Sequence, residues 1–274
     1  MTILQAIILG IIQGLTEFLP ISSSAHLVIA PYLFQWDIAQ DYIFPFDVLV
    51  QLGTLVAVIL YFWKDLFHII RAFFIGIWRK QPFADQNSRM AWFILLATIP
   101  AGLAGIFLKD AVENAFLSPL ITAFFLLGTA MILFLAERLG KKNRDAESIT
   151  GLDALIVGIG QALSIFPGIS RSGSTISFGM FRNIKRKPAG RLSFLMSIPI
   201  MAAAGLLSLL DLFDIPDLSS FIPLLIIGFI TAAVIGYISI HWLLKFLQQN
   251  SLIYFSIYCI AIALLTIVVW IIRT

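Results

Sequence analysis

The sequence predicts an all-α polytopic membrane protein: six transmembrane helices plus two re-entrant helical hairpins, arranged as an inverted-topology repeat. Three observations predict it: composition, the spacing of apolar runs, and the placement of basic residues. Of 274 residues, 60% are hydrophobic and 12% are charged, with a mean hydropathy of +0.98. Soluble domains carry about 25% charged residues, so too few polar side chains remain to coat a globule in water. Disorder and a collagen-like repeat are excluded on the same ground. Cys259 is the only cysteine and lies in an apolar run, which excludes an internal disulfide and a cysteine metal site. The net charge of +3 has meaning on such a chain only through its distribution, and no nucleic-acid partner is expected.

The elements follow in order. Met1 to Leu9 lack the basic start and the cleavage site of a secretory signal and are expected to be retained. Residues 3–30 are apolar but interrupted by Glu17, Pro20 and Ser22-Ser23-Ser24, which predicts two short helices joined by a polar break. A spanning helix needs roughly 20 apolar residues, and 46–63, 91–108 and 119–137 meet that length. Residues 152–181 are interrupted by Pro167-Gly168 and the run Ser170 to Ser174, a second broken segment. Three further spans are expected at 192–210, 221–244 and 252–271. All belong to a single integral membrane domain, 1–274, with repeat halves at about 1–140 and 150–274.

The repeat is visible at an offset of 148 positions. Gly10, Ile11, Gln13, Leu15, Phe18, Ile21, Ser22 and Ser24 match Gly158, Ile159, Gln161, Leu163, Phe166, Ile169, Ser170 and Ser172. Each half then holds one broken hairpin and three spans. Three is odd, so a hairpin that enters and leaves on one side forces the second half upside down relative to the first. Charge gives an independent check, because Lys and Arg collect in cytoplasmic connections. Residues 64–90, 138–151, 181–191 and Lys245 hold fifteen of the eighteen basic residues. The opposite connections carry Asp37 and Asp41, a single basic residue, Lys109, in 109–118, and Asp211, Asp214 and Asp217. This pattern places both termini and the first hairpin on the outer side. The tips of the two hairpins are expected to meet near mid-membrane, where non-helical backbone is tolerated only if it lines a cavity or is buried in protein.

Arg171 is the most informative residue. An arginine in the centre of a span costs on the order of 2.5 to 3.5 kcal/mol on insertion scales and demands a partner or a water-filled cavity. Its setting, Pro167-Gly168-Ile169-Ser170-Arg171-Ser172-Gly173, offers glycines for close backbone approach, hydroxyl donors and a helix start with free N–H groups. That set suits a phosphate. With the helix starting near Ser170, Arg171 and Thr175 share one face. In the first hairpin, Gln13 and Glu17 lie four residues apart on one helical face, Pro20 ends that helix, and Ser22 or Ser23 caps the next. His26 follows Ser22 by four residues and Ser23 by three. Glu17 can serve as an oxygen ligand for Mg or Ca or as a base. Asp47, Gln51 and Asp153 near span starts are expected to be structural, and His68 and His241 interfacial.

The segment Gln13-Gly14-Leu15-Thr16-Glu17-Phe18-Leu19-Pro20-Ile21-Ser22-Ser23-Ser24-Ala25-His26, with Pro167-Gly168-Ile169-Ser170-Arg171-Ser172-Gly173-Ser174-Thr175, closely resembles the undecaprenyl-diphosphatase (bacitracin-resistance) family of bacterial membranes. The likeness spans essentially the whole chain. It implies hydrolysis of undecaprenyl diphosphate to undecaprenyl phosphate and inorganic phosphate in the bacterial inner membrane, a divalent cation cofactor (Mg or Ca), and a homodimer; the first hairpin, opening outward, is expected to place the site on the periplasmic side. By position, Glu17, Ser23, His26 and Arg171 correspond to catalytic groups. Gln13, Ser22, Ser170, Ser172, Gly173 and Thr175 correspond to substrate contacts, and Glu17 with Gln13 to the metal ligands. The chain has Ala25 where many members have Gly, and a neutral amide at Gln13, which ligates a cation more weakly than a carboxylate. The nucleophile is open among Ser23, His26 and metal-bound water. The alternative is a polyprenyl-phosphate transporter or flippase using the same mid-membrane pocket, since inverted repeats with broken helices are typical of transporters.

Overall fold

The computed structural model describes the chain except residues 37, 39, 117, 212–217 and 274. Asp37, Asp214 and Asp217 therefore fall outside the described residues, as do the side chains of Asp41, Lys109 and Asp211. Among the described residues the chain is helical, and its only β feature is an isolated bridge between Arg144 and Ile184.

The first apolar stretch forms α1 (Ile3–Thr16) and α2 (Ser23–Phe34). Thr2 and Gln5 start α1 with a reciprocal capping box, and Ser22 starts α2 by accepting the Ala25 N–H. The second interrupted stretch forms α8 (Gly151–Leu163) and α9 (Arg171–Phe181) in the same way. Thr150 and Asp153 box the start of α8, while Ser170 caps α9 through the Gly173 N–H. Side-chain oxygens thus replace the missing acceptors of the first turns, which allows four short helices to begin inside an apolar protein.

Five helices are long and apolar enough to cross a membrane. They are α5 (Gln86–Phe107), α7 (Pro119–Leu139), most of α10 (Arg186–Asp211), most of α11 (Leu218–Gln249) and α12 (Ile253–Arg273). The span expected at 46–63 lies in α3 (Gln40–Tyr61), which continues into α4 (Trp63–Trp78) through a 78° bend; this pair counts as a sixth. The chain is therefore a multi-pass membrane protein. Its surface agrees, since α12 alone exposes Ile257, Leu264, Val268 and Ile271, an apolar face suited to lipid rather than water.

One part of the chain differs from the sequence expectation. Residues 64–90, read as a basic connection, contain α4. Trp63, Phe67, Ile70, Phe74 and Ile77 are exposed along one side of it, at helical spacing.

Packing puts the two breaks together. α1 lies against α11 and α3, α8 against α5 and α9, and both α2 and α9 lean on α7. Close approach of α1 to α11 depends on small residues: a Cβ on Gly10 would meet the Gly228 carbonyl oxygen at 2.8 Å, and one on Gly14 would meet the Gly236 nitrogen at 2.9 Å. Backbones that approach this closely are a common way for helices to associate in lipid. The connection from α7 to α8 is held by charge. Arg144 and Arg182 both donate to Asp153, at 3.1 and 2.7 Å, and Glu137 accepts from Lys142 and Arg186. Asp153 is thus structural, as expected.

Candidate functional site

The site lies where the α1–α2 break meets the α8–α9 break. Ser172 Oγ donates to the Leu19 carbonyl across 3.1 Å, tying one break to the other. The second break turns at Gly168, whose φ of +107° and crowding against Phe125 (a Cβ would sit 2.6 Å from its Cβ) leave room for glycine alone. Thr129 on α7 pins it: its hydroxyl donates to the Gly168 carbonyl at 2.7 Å and accepts from the Ser170 N–H at 2.8 Å. Ser22, with φ of +70°, turns the first break, a conformation costing a non-glycine residue about 1–3 kcal/mol and frequent at functional sites.

Between the breaks is a cavity of about 310 Å³. Glu17 is its electrostatic centre, buried at 7% exposure. Its Oε2 accepts from Ser23 Oγ at 2.6 Å and from Gln13 Nε2 at 3.0 Å, and its Oε1 pairs with Arg171 Nη2 at 2.6 Å. The ion pair joins residues 154 apart in sequence and answers the cost of placing each charge in an apolar setting. Arg171 Nη1 remains buried without a protein partner, and an unmade hydrogen bond from a buried donor costs about 1–3 kcal/mol, more when it is charged.

Of the expected residues, Gln13, Glu17, Ser22, Ser23, Ser170 and Arg171 line the cavity. The others do not line it. Ser172 bonds to Leu19, and a Cβ on Gly173 would sit 3.0 Å from that of Ser170, so both serve the packing of the breaks. Thr175 donates to the Arg171 carbonyl at 2.8 Å and meets Ser193 Oγ at 2.6 Å. His26 also faces elsewhere. Its Nδ1 lies 2.7 Å from the Ser22 carbonyl and its Nε2 lies 2.9 Å from the Tyr258 hydroxyl, with the two rings stacked. A carbonyl only accepts, so Nδ1 carries the proton, and Nε2 is taken by α12 rather than by Ser23.

Five polar lining residues were not expected there: Ser24, Asp47, Gln51, Gln161 and Ser164. Asp47 and Gln51 stand four apart in α3, one face of a helix. A polar pair at that spacing inside an apolar run was the available signal, and the structure places both on the cavity wall. Gln161 was visible only as the match to Gln13. Thr54, which accepts from Gln13 Nε2 at 3.4 Å, carried no signal. Among the described residues no group of three or more His, Cys, Asp or Glu is placed to hold a metal ion.

Comparisons with known proteins agree with this picture. The family model described as bacitracin resistance protein BacA matches residues 6–265. The chain is 42% identical to an undecaprenyl-diphosphatase of Thermomicrobium roseum over 276 residues, covering 98% of each protein. It is 42% identical to an undecaprenyl-diphosphatase of Moorella thermoacetica, covering all of both. With one from Corynebacterium striatum it shares 45% identity over 97% of this chain and 93% of that protein. A match over nearly the whole length, with the Glu17 and Arg171 segments facing one cavity, makes the chain a member of the bacitracin resistance protein BacA family.

Proposed function

We propose that the protein hydrolyses undecaprenyl diphosphate to undecaprenyl phosphate and inorganic phosphate. The observation that carries this reading is the pairing, on one cavity, of an arginine with an unpaired N–H and a serine hydroxyl 2.6 Å from a carboxylate. Phosphoryl transfer asks a protein chiefly to position the reacting groups and to neutralise charge on the phosphoryl oxygens. Arg171 supplies the charge, held in place by Glu17 until the anion arrives. Ser23 Oγ attacks the terminal phosphorus and Glu17 takes its proton. The bond from that phosphorus to the bridging oxygen breaks, and undecaprenyl phosphate leaves. Water then releases phosphate from the serine. The relatives' names favour hydrolysis over transport.

His26 acts in this scheme as a positioning residue. Its Nδ1–H on the Ser22 carbonyl supports the strained turn that aims Ser23 at Glu17. The cavity suits a divalent cation, Mg or Ca: the carboxylates of Glu17 and Asp47 and the amides of Gln13 and Gln51 are hard oxygen donors. They are too few to close a coordination shell, which fits a cation held jointly with the diphosphate. Such a cation would add positive charge beside the phosphoryl oxygens.

The remaining topology belongs to the same proposal. Each broken pair, α1–α2 and α8–α9, is a re-entrant hairpin, and the halves are an inverted repeat. The 148-residue correspondence and the one-sided basic residues support this. The first hairpin then opens to the outer face of the membrane, which places hydrolysis there. Phosphate release from a long-chain polyprenyl diphosphate by the purified protein, with and without chelator, is the test. Release that falls on chelation is expected; no release with either Mg or Ca would overturn the activity.

A further inference from the structure

We propose that Gln161 is a substrate-binding residue whose side-chain N–H group donates to a phosphoryl oxygen of the bound diphosphate, beside Arg171. The proposal rests on the phosphatase reading. Gln161 is 2% exposed, lies in the last turn of α8 and lines the cavity described above. Neither its Nε2 nor its Oε1 has a partner. Folded proteins leave few such groups, and each one calls for an explanation.

The chain itself shows how this amide is satisfied elsewhere. Gln13, its counterpart at the 148-residue offset, gives its Nε2 to Glu17 and Thr54. Glu17 stands one helical turn after Gln13. One turn after Gln161 stands Ile165, which accepts nothing. The second half has kept the amide and lacks the carboxylate, so the chain supplies no acceptor at that position. Arg171, which lines the same cavity, has its Nη1 unpaired as well. Two orphaned donors beside one cavity call for an anion with several oxygens, and a diphosphate supplies acceptors for both.

Three substitutions test this: Gln161→Met, Gln161→Leu and Gln161→Glu, in purified full-length protein. Phosphate release gives KM and kcat, and the shift of Tm by inorganic pyrophosphate gives affinity without turnover. Gln161→Met and Gln161→Leu should raise KM about tenfold or more and weaken pyrophosphate by a like factor, the loss of one hydrogen bond to a charged group. Tm without ligand should not fall, because the unpaired amide is gone. Gln161→Glu should raise KM further, since a carboxylate would face the anion. KM and pyrophosphate affinity within twofold of the unsubstituted protein in the folded Met or Leu variant would overturn the inference. So would a Glu variant with unchanged KM and tighter Mg dependence, which would assign the side-chain oxygen to the cation. An unsubstituted protein that binds pyrophosphate yet releases no phosphate would sink the phosphatase reading, while the binding comparison would still decide Gln161.

Discussion

Glu17 has three donors on its two oxygens, and each should show in activity. Removing one group that stabilises charge in a transition state costs about a hundredfold or more. Arg171→Ala and Glu17→Ala are each expected to lower kcat/KM by at least that factor in a phosphate-release assay. Ser23→Ala should do the same, whereas His26→Ala should cost clearly less than Ser23→Ala, because its ring supports a turn and touches no reacting atom. An equal loss in both would return His26 to the chemistry. Glu17 and Arg171 were legible in the sequence because charge inside an apolar run is expensive enough to demand a reason. The role first open to His26 was not settled there: spacing along a helix says which residues are near, and only packing shows that its ring turns to Tyr258 on α12. Asp47, Gln51 and Gln161 are harder to read, since an uncharged amide or a short carboxylate in an apolar run has many bland explanations.

The helix breaks are as demanding as the side chains they carry. Gly168 combines a left-handed φ with a wall of α7 where a Cβ would sit, so Gly168→Ala should destabilise the protein by about 1–3 kcal/mol or more and lower Tm in detergent. Asp153 is fully buried and takes hydrogen bonds from two arginines. Asp153→Asn would remove the negative charge that both arginines face and turn an N–H group toward the donors on one of its two oxygens, and a loss of at least about 1–3 kcal/mol is expected in the same measurement. Both breaks could be read from Pro, Gly and Ser interrupting apolar runs. The helix α4 could not be read so easily. Its apolar positions recur at helical spacing, but Lys64, Asp65, His68 and Arg71 between them lower the average hydropathy, so that in sequence the stretch resembles a connection. Trp63 and Trp78 on it are exposed by 56% and 89%. In vesicles their fluorescence should be quenched by lipids brominated near the headgroup. Quenching by an aqueous quencher instead would place this helix in water.

At the scale of the whole molecule, the site is assembled from sequence neighbourhoods that never meet along the chain. The carboxylate, the serine and Asp47 come from the first 52 residues, and Arg171 and Gln161 from beyond residue 160. The contact between Leu19 and Ser172 and the ion pair between Glu17 and Arg171 make each half the wall of the other's cavity. A polypeptide ending after α7 should release no phosphate, and neither should one starting before α8. Coexpressed as separate fragments, they should recover activity to the extent that they dock. The same joint ownership governs inheritance of the chain. A lesion in either half has its natural suppressors in the opposite one, so a genetic screen started from a weakened Glu17 neighbourhood should return second-site revertants around α8, α9 and the α7 threonine that braces them.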